Sequence, residues 1–249
     1  MTLNGLIVFS RRAMRVARTE FAALSAIFVI ALGIVAFVEL ADDVTDADGR
    51  AFDWMILSLL RPTATPDDAW GPWWLEEAAA DLTSLGGIAV LGLFATVAVV
   101  FLLIQRKRLS ALLLSLGLAG GVVLSEGLKS IFERERPPAA YQAVDTINAS
   151  FPSGHALLSA VFYLSLGVML TRAFPRHRVK GFVLGVAIVI TLLVGVTRVY
   201  LGAHWATDVL AGWSVGAAWA MALWLVSYAV ARRQIVHHAP LQDEGATIR

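Results

Sequence analysis

Three short stretches of this sequence hold residues that could do chemistry together. The first is "KSIFERERPP". Lys129 and Arg136 stand seven apart, two helical turns, so a continuous helix would turn both to one side before Pro137 and Pro138 stop it. The plainer reading is a salt-bridged helix end, because Glu126, Lys129, Glu133 and Arg136 recur at three- and four-residue steps. The second is "PSGH", Pro152 to His155, directly before an apolar run. A helix start offers unpaired backbone N–H groups and a positive dipole end, which suit an anion. Ser153 could cap that helix or donate to the anion, Gly154 would let the backbone approach it, and His155 would sit beside it. The plainer reading here is an ordinary N-cap with an interfacial histidine.

The third stretch is "TRVYLGAHWATD". His204 and Asp208 are four apart, so one helical face carries both, and Arg198 precedes them. A carboxylate on one imidazole nitrogen fixes the tautomer and frees the other nitrogen as a nucleophile or base. A structural His–Asp pair beside an interfacial arginine is the alternative. Taken together, the stretches supply three cations, two histidines, one orienting carboxylate and a helix start rich in N–H groups. That set fits a phosphate site with a nucleophile and an acid. No Asp/Glu cluster or His-x-His spacing points to a catalytic metal, so no metal and no cofactor are expected.

The elements that must position these residues are membrane helices. The chain has 249 residues, 58% hydrophobic and 16% charged. Six apolar runs approach the ~20 residues that cross a bilayer: Phe21–Leu40, Leu85–Ile104, Ser110–Leu128, Ala156–Thr171, Val179–Val196 and Val209–Val230. The first follows a basic N-terminus and exceeds a signal-peptide core, so it reads as a retained helix. The expected fold class is all-α, a six-helix integral membrane bundle forming one domain over residues 1–249. There is no cysteine, which excludes disulfides and thiolate metal sites.

Charge sets the expected topology. Of 20 Lys and Arg residues, 14 fall before the first run, between the second and third, between the fourth and fifth, or after the sixth. Basic loops stay in the cytoplasm, so both termini are expected there. The opposite side holds an acidic segment at about residues 41–84, rich in tryptophan, in which "FDWMILSLLRP" is either a helix on the membrane surface or a packed loop. All three chemical stretches fall on that same outer side. Arg134 beside Arg136 could serve a second phosphate or pair in solvent with Glu133 or Glu135. His237 and His238, in a polar tail at about residues 235–249, read as solvated rather than as a metal pair. Gly117, Gly120, Gly121, Gly212 and Gly216 within apolar runs read as close helix packing.

Lys129-x6-Arg136-Pro137, Pro152-Ser153-Gly154-His155 and Arg198-x5-His204-x3-Asp208 resemble, in order and placement, the three signature motifs of the type 2 phosphatidic acid phosphatase superfamily. Thr197 stands where that third motif usually opens with serine. The resemblance implies a metal-independent lipid phosphatase. In it His204 attacks phosphorus to form a phosphohistidine, Asp208 orients it, and His155 protonates the leaving oxygen. Lys129, Arg136 and Arg198 bind the phosphate oxygens with Ser153 and the Gly154 N–H. Family substrates it implies are undecaprenyl pyrophosphate, phosphatidylglycerol phosphate, phosphatidate and lipid A 1-phosphate, with a slight tilt to a pyrophosphate from Arg134. A phosphotransferase using the same intermediate is the near alternative. A transporter or channel is the distant one, disfavoured because ionisable residues cluster at one face. The related vanadate-dependent haloperoxidase chemistry is disfavoured too, since those enzymes are soluble. The expected partners are the bilayer and a lipid phosphate, with no nucleic acid, and the expected location is a bacterial inner membrane with an extracytoplasmic site.

Overall fold

The computed structural model describes residues 3–44, 47–62, 65, 69–144, 146 and 148–237. The helices in order are α1 (Leu3–Asp43), α2 (Ala47–Leu60), α3 (Trp73–Ser84), α4 (Ile88–Ile104), α5 (Arg108–Phe132), α6 (Gly154–Ser159), α7 (Ser165–Thr171), α8 (His177–Tyr200) and α9 (Ala206–His237). A π turn, Ala160–Leu164, joins α6 to α7 as one continuous rod. Spans long and apolar enough to cross a membrane are Glu20–Asp43 within α1, α5, the α6–α7 rod, α8, and Ala206–Arg233 within α9. A sixth forms if α3 and α4, which meet at a 46° bend, count as one. The six expected runs fall in these elements in the same order, and the protein is an all-α integral membrane bundle.

Helices suit this role because their backbone groups bond internally where lipid offers no partner. The outward faces carry Phe21, Val123 and Phe182, each at least 70% exposed. The α6–α7 rod lies inside, with Leu157, Val161 and Phe162 buried against α5, α8 and α9. Close approach there depends on glycine. A Cβ on Gly212 would stand 2.7 Å from Ser153 O, and one on Gly216 2.5 Å from Leu157 O, which bears out the packing reading of these two.

The segment at 41–84 is no plain loop. It forms α2 and α3, and α2 turns Asp53 and Leu57 inward while Trp54 and Leu59 stay exposed. Buried Arg61 ties the end of α2 to its neighbours, donating from Nε to Tyr200 O at 3.0 Å and from Nη2 to Glu76 at 3.2 Å. The α3–α4 elbow is pinned to the central rod by Tyr163, whose hydroxyl donates to Leu85 O at 2.9 Å. A Cβ at Gly86 would fall 2.3 Å from Val194 Cγ1 and 3.2 Å from His155 O, so the elbow seats only without a side chain. Phe37, Phe132 and Phe151 pack with centroids 4.9 to 6.1 Å apart, one pair stacked and two edge to face, joining α1 and the end of α5 to the loop before α6. The His237–His238 pair and the tail after it lie outside the residues whose side chains are described.

Candidate active site

Lys129 and Arg136 do not share a helix face. The α5 helix ends at Phe132, and Glu133 adopts a left-handed conformation at φ 44°. Arg136 precedes a proline, whose ring drives the preceding residue out of the helical region. Lys129 therefore projects from the last turn of α5, and Arg136 arrives from the irregular segment beyond it. Of the expected ladder of helix-end salt bridges, only Lys129–Glu126 forms among the described residues, at 3.2 Å. The Arg136 guanidinium is held by Asn148 O and Oδ1, both at 2.6 Å, and by Ala203 O at 2.7 Å. It also donates to His204 Nε2 at 3.1 Å.

The "PSGH" stretch starts a helix as its residue types require. Ser153 is the N-cap, and its Oγ accepts a long bond from the Ala156 N–H at 3.5 Å. Ser153 N–H donates to Asp208 O at 2.9 Å, locking this start against the start of α9. Gly154 leaves room for cation and hydroxyl alike: a Cβ there would stand 3.1 Å from Ser125 Oγ and 3.5 Å from Lys129 Nζ. The His155 ring lies beside the elbow, with Nε2 3.8 Å from where a Gly87 Cβ would be.

The third stretch is a turn between two helices. Arg198, in the last turn of α8, is 6% exposed, and its carbonyl accepts from the Ala203 and His204 N–H groups at 3.1 and 3.2 Å. His204 thus sits in the turn rather than on α9 itself. The N-cap position falls to Trp205, whose side chain cannot cap. Asp208, in the first turn, reaches back instead and accepts the Trp205 N–H on Oδ2 at 3.0 Å. The same Oδ2 lies 3.3 Å from His204 Nδ1 and accepts from the Ser150 hydroxyl. Nδ1 therefore carries the proton, and Nε2 keeps its lone pair. Burial pushes the His204 imidazole down to about 4 against the raising pull of Asp208, so the ring is neutral at ordinary pH. Thr197 turns its hydroxyl onto Val194 O at 2.8 Å, within its own helix.

One cavity of about 210 Å³ gathers Lys129, Arg136, Gly154, His155, Arg198 and His204 on its walls, together with Ser125, Glu126 and Asn148. Asp208 stands behind His204, fully buried, and Ser153 caps its helix without lining the cavity. Arg198 Nε and Ser125 Oγ are buried and have no hydrogen-bond partner among the described residues. A pocket with converging cations and a neutral imidazole can hold a phosphate dianion and attack it.

Four residues here escape a reading of the sequence. Arg134, expected either at a second phosphate or in solvent with Glu133 or Glu135, does neither. Its side chain is 9% exposed, and it bridges Asp208 Oδ1 at 2.5 Å and Asp53 Oδ2 at 2.6 Å. That removes the tilt toward a pyrophosphate. Asp53 comes from α2, where one acid in the apolar run "FDWMILSLL" was the only hint. Ser150 and Asn148 precede the "PSGH" stretch with no spacing that marks them.

The PAP2 superfamily's family model matches residues 108–232. The chain is 36% identical over 146 residues to phosphatidylglycerophosphatase B of Bacillus subtilis, covering 57% of this chain and 70% of that protein. It is 32% identical over 125 residues to an undecaprenyl-diphosphatase of Sulfolobus acidocaldarius, covering 48% and 56% respectively. Among solved structures, a transmembrane PAP2 type phosphatidylglycerolphosphate phosphatase from Bacillus subtilis superposes with a TM-score of 0.74 at 28% identity, covering 82% of this chain and 98% of that one.

Proposed function

This chain belongs to the PAP2 superfamily, and from that premise we propose that it is a membrane phosphatase. It hydrolyses a lipid phosphate at the extracytoplasmic face through a phosphohistidine intermediate. The observation that carries this reading is His204, with Nδ1 on Asp208 and Nε2 turned into a cavity walled by Lys129, Arg136, Arg198 and His155.

In the proposed reaction the phosphate dianion enters among the three cations. Arg136 shifts from His204 Nε2 to a phosphate oxygen, a stronger acceptor, which frees the lone pair. Nε2 bonds to phosphorus as the bond to the lipid oxygen breaks, and His155 gives that oxygen its proton. The imidazolium charge that forms is balanced by Asp208. Water then attacks the phosphohistidine with His155 as base, releasing phosphate and restoring both histidines. The cations stabilise the equatorial oxygens in both steps.

A phosphate monoester such as phosphatidylglycerol phosphate or phosphatidate is the favoured substrate class, because Arg134 is taken up by two carboxylates and cannot serve a second phosphate. Phosphate release from a panel of lipid monoesters and diphosphates, with protein purified in detergent, tests this. Highest kcat/KM on a monoester is expected, and release from diphosphates alone would contradict it. The orientation rests on the 14 basic residues of one side. Single cysteines at Ala139 should label from outside intact cells and at Gln105 should not; outside labelling at Gln105 would reverse it.

A further inference from the structure

The proposed reaction uses Asp208 but leaves unexplained what lies behind it. Asp53 is 1% exposed and falls outside the residues matched by the family model. Its Oδ1 accepts the Thr207 N–H at 3.0 Å. Its Oδ2 accepts the Thr207 hydroxyl at 2.7 Å and Arg134 Nη2 at 2.6 Å. Arg134 Nη1 donates to Asp208 Oδ1 at 2.5 Å and to Thr207 Oγ1 at 2.8 Å, while the ring of Trp205 lies 5.7 Å from the guanidinium. A line of alternating charge thus runs from α2 to the nucleophile: carboxylate, guanidinium, carboxylate, imidazole.

Counting charge along that line gives Asp53 a role. Asp208 and Arg134 alone would form a neutral pair, with little negative potential left for an imidazolium. Asp53 brings the group to one net negative charge. When His204 becomes cationic on bonding to phosphorus, the buried group as a whole becomes neutral, which is the cheaper state in a site shielded from water. We infer that Asp53 is a positioning residue for the reaction, acting through Arg134: it holds the guanidinium on Oδ1 and leaves Asp208 its charge toward His204. The inference rests on the phosphohistidine reading above. A merely structural role, capping the start of α9 through Thr207, is the competing account.

The two accounts separate on Asp53→Asn, which keeps an acceptor for the Thr207 N–H and removes the charge. Binding of inorganic phosphate and of vanadate to the full chain in detergent is measured by calorimetry. Phosphate samples the ground state, whereas vanadate bonded to His204 takes the five-coordinate geometry and leaves the ring cationic. Asp53→Asn should weaken vanadate by about tenfold or more while phosphate changes by less than about twofold. On a lipid phosphate, kcat should fall by a similar factor with KM nearly unchanged. Asp53→Glu, which restores the charge, should recover most of the vanadate affinity. If the Asn variant does not fold, Asp53→Ser makes the same comparison with a hydroxyl acceptor. Equal weakening of both anions, or no change in either, would overturn the inference in favour of capping alone. A wild-type chain that binds phosphate but not vanadate would defeat the phosphohistidine reading itself, and this inference with it.

Discussion

On the Nδ1 side of His204 every buried charge has a hydrogen-bonded partner. Asp208 accepts from Arg134, Ser150 and the Trp205 N–H, and Arg134 is shared with Asp53. On the Nε2 side, the cations converge on a cavity where two buried polar groups lack a partner. Arg198 Nε and Ser125 Oγ have no partner among the described residues, and Lys129 is tied to Glu126 at the cavity's edge. Ser125 lines that cavity, whereas Thr83 and Ser165, whose buried hydroxyls also lack a partner among the described residues, lie outside it. Unpaired buried polar groups destabilise a fold, and the two at the cavity wall stand where an anion can complete them. The matched side holds the His204 ring in place; the unmatched side is where the proposed reaction seats its anion.

Substitutions on the two sides should therefore fail differently. Arg134→Met strips two buried carboxylates of their partner and should destabilise the fold by about 3–5 kcal/mol. Arg198→Met removes a cation that Arg136 repels, so stability in detergent should hold or rise, while kcat/KM falls about 10²- to 10³-fold. Unfolding curves and kinetics on the same preparations check the pair. Equal destabilisation by both variants would erase the distinction between the two sides.

His155 sharpens the unmatched side. If it donates a proton, His155→Ala should lose about a hundredfold on an alkyl phosphate and less than about tenfold on an activated aryl phosphate, whose leaving group needs no proton. Equal losses would make it a phosphate ligand instead. The smallest effect is expected on the pH axis of the matched side. Since burial holds His204 down at about 4, its ¹⁵N signals should not titrate between pH 8 and about 5. A midpoint at the ordinary histidine value would mean the ring is solvated and poorly held.

What the sequence revealed follows the same division. Lys129, Arg136, His155, Arg198 and His204 were legible because local spacing placed each at a predicted helix end, and the structure brings them to one cavity. The exit of Arg136 from the helix was missed, since a seven-residue spacing suits a continuous helix as well as a broken one. The network behind Asp208 was illegible for a deeper reason. Asp53 and Arg134 are 81 residues apart in sequence, and tertiary packing of α2 alone makes them neighbours. The α3–α4 elbow shared that fate. An apolar run shows length but not a bend, and the need for Gly86 arises from a contact with Val194.

The central claim is that His204 carries the phosphoryl group. Its most direct test is rapid quenching of the protein during turnover of a lipid phosphate labelled at phosphorus. Label should appear on the wild-type chain before free phosphate does, map to His204, and be absent from a folded His204→Ala variant that releases no phosphate. Label on another residue, or phosphate release by His204→Ala at a rate near that of the wild type, would contradict the account.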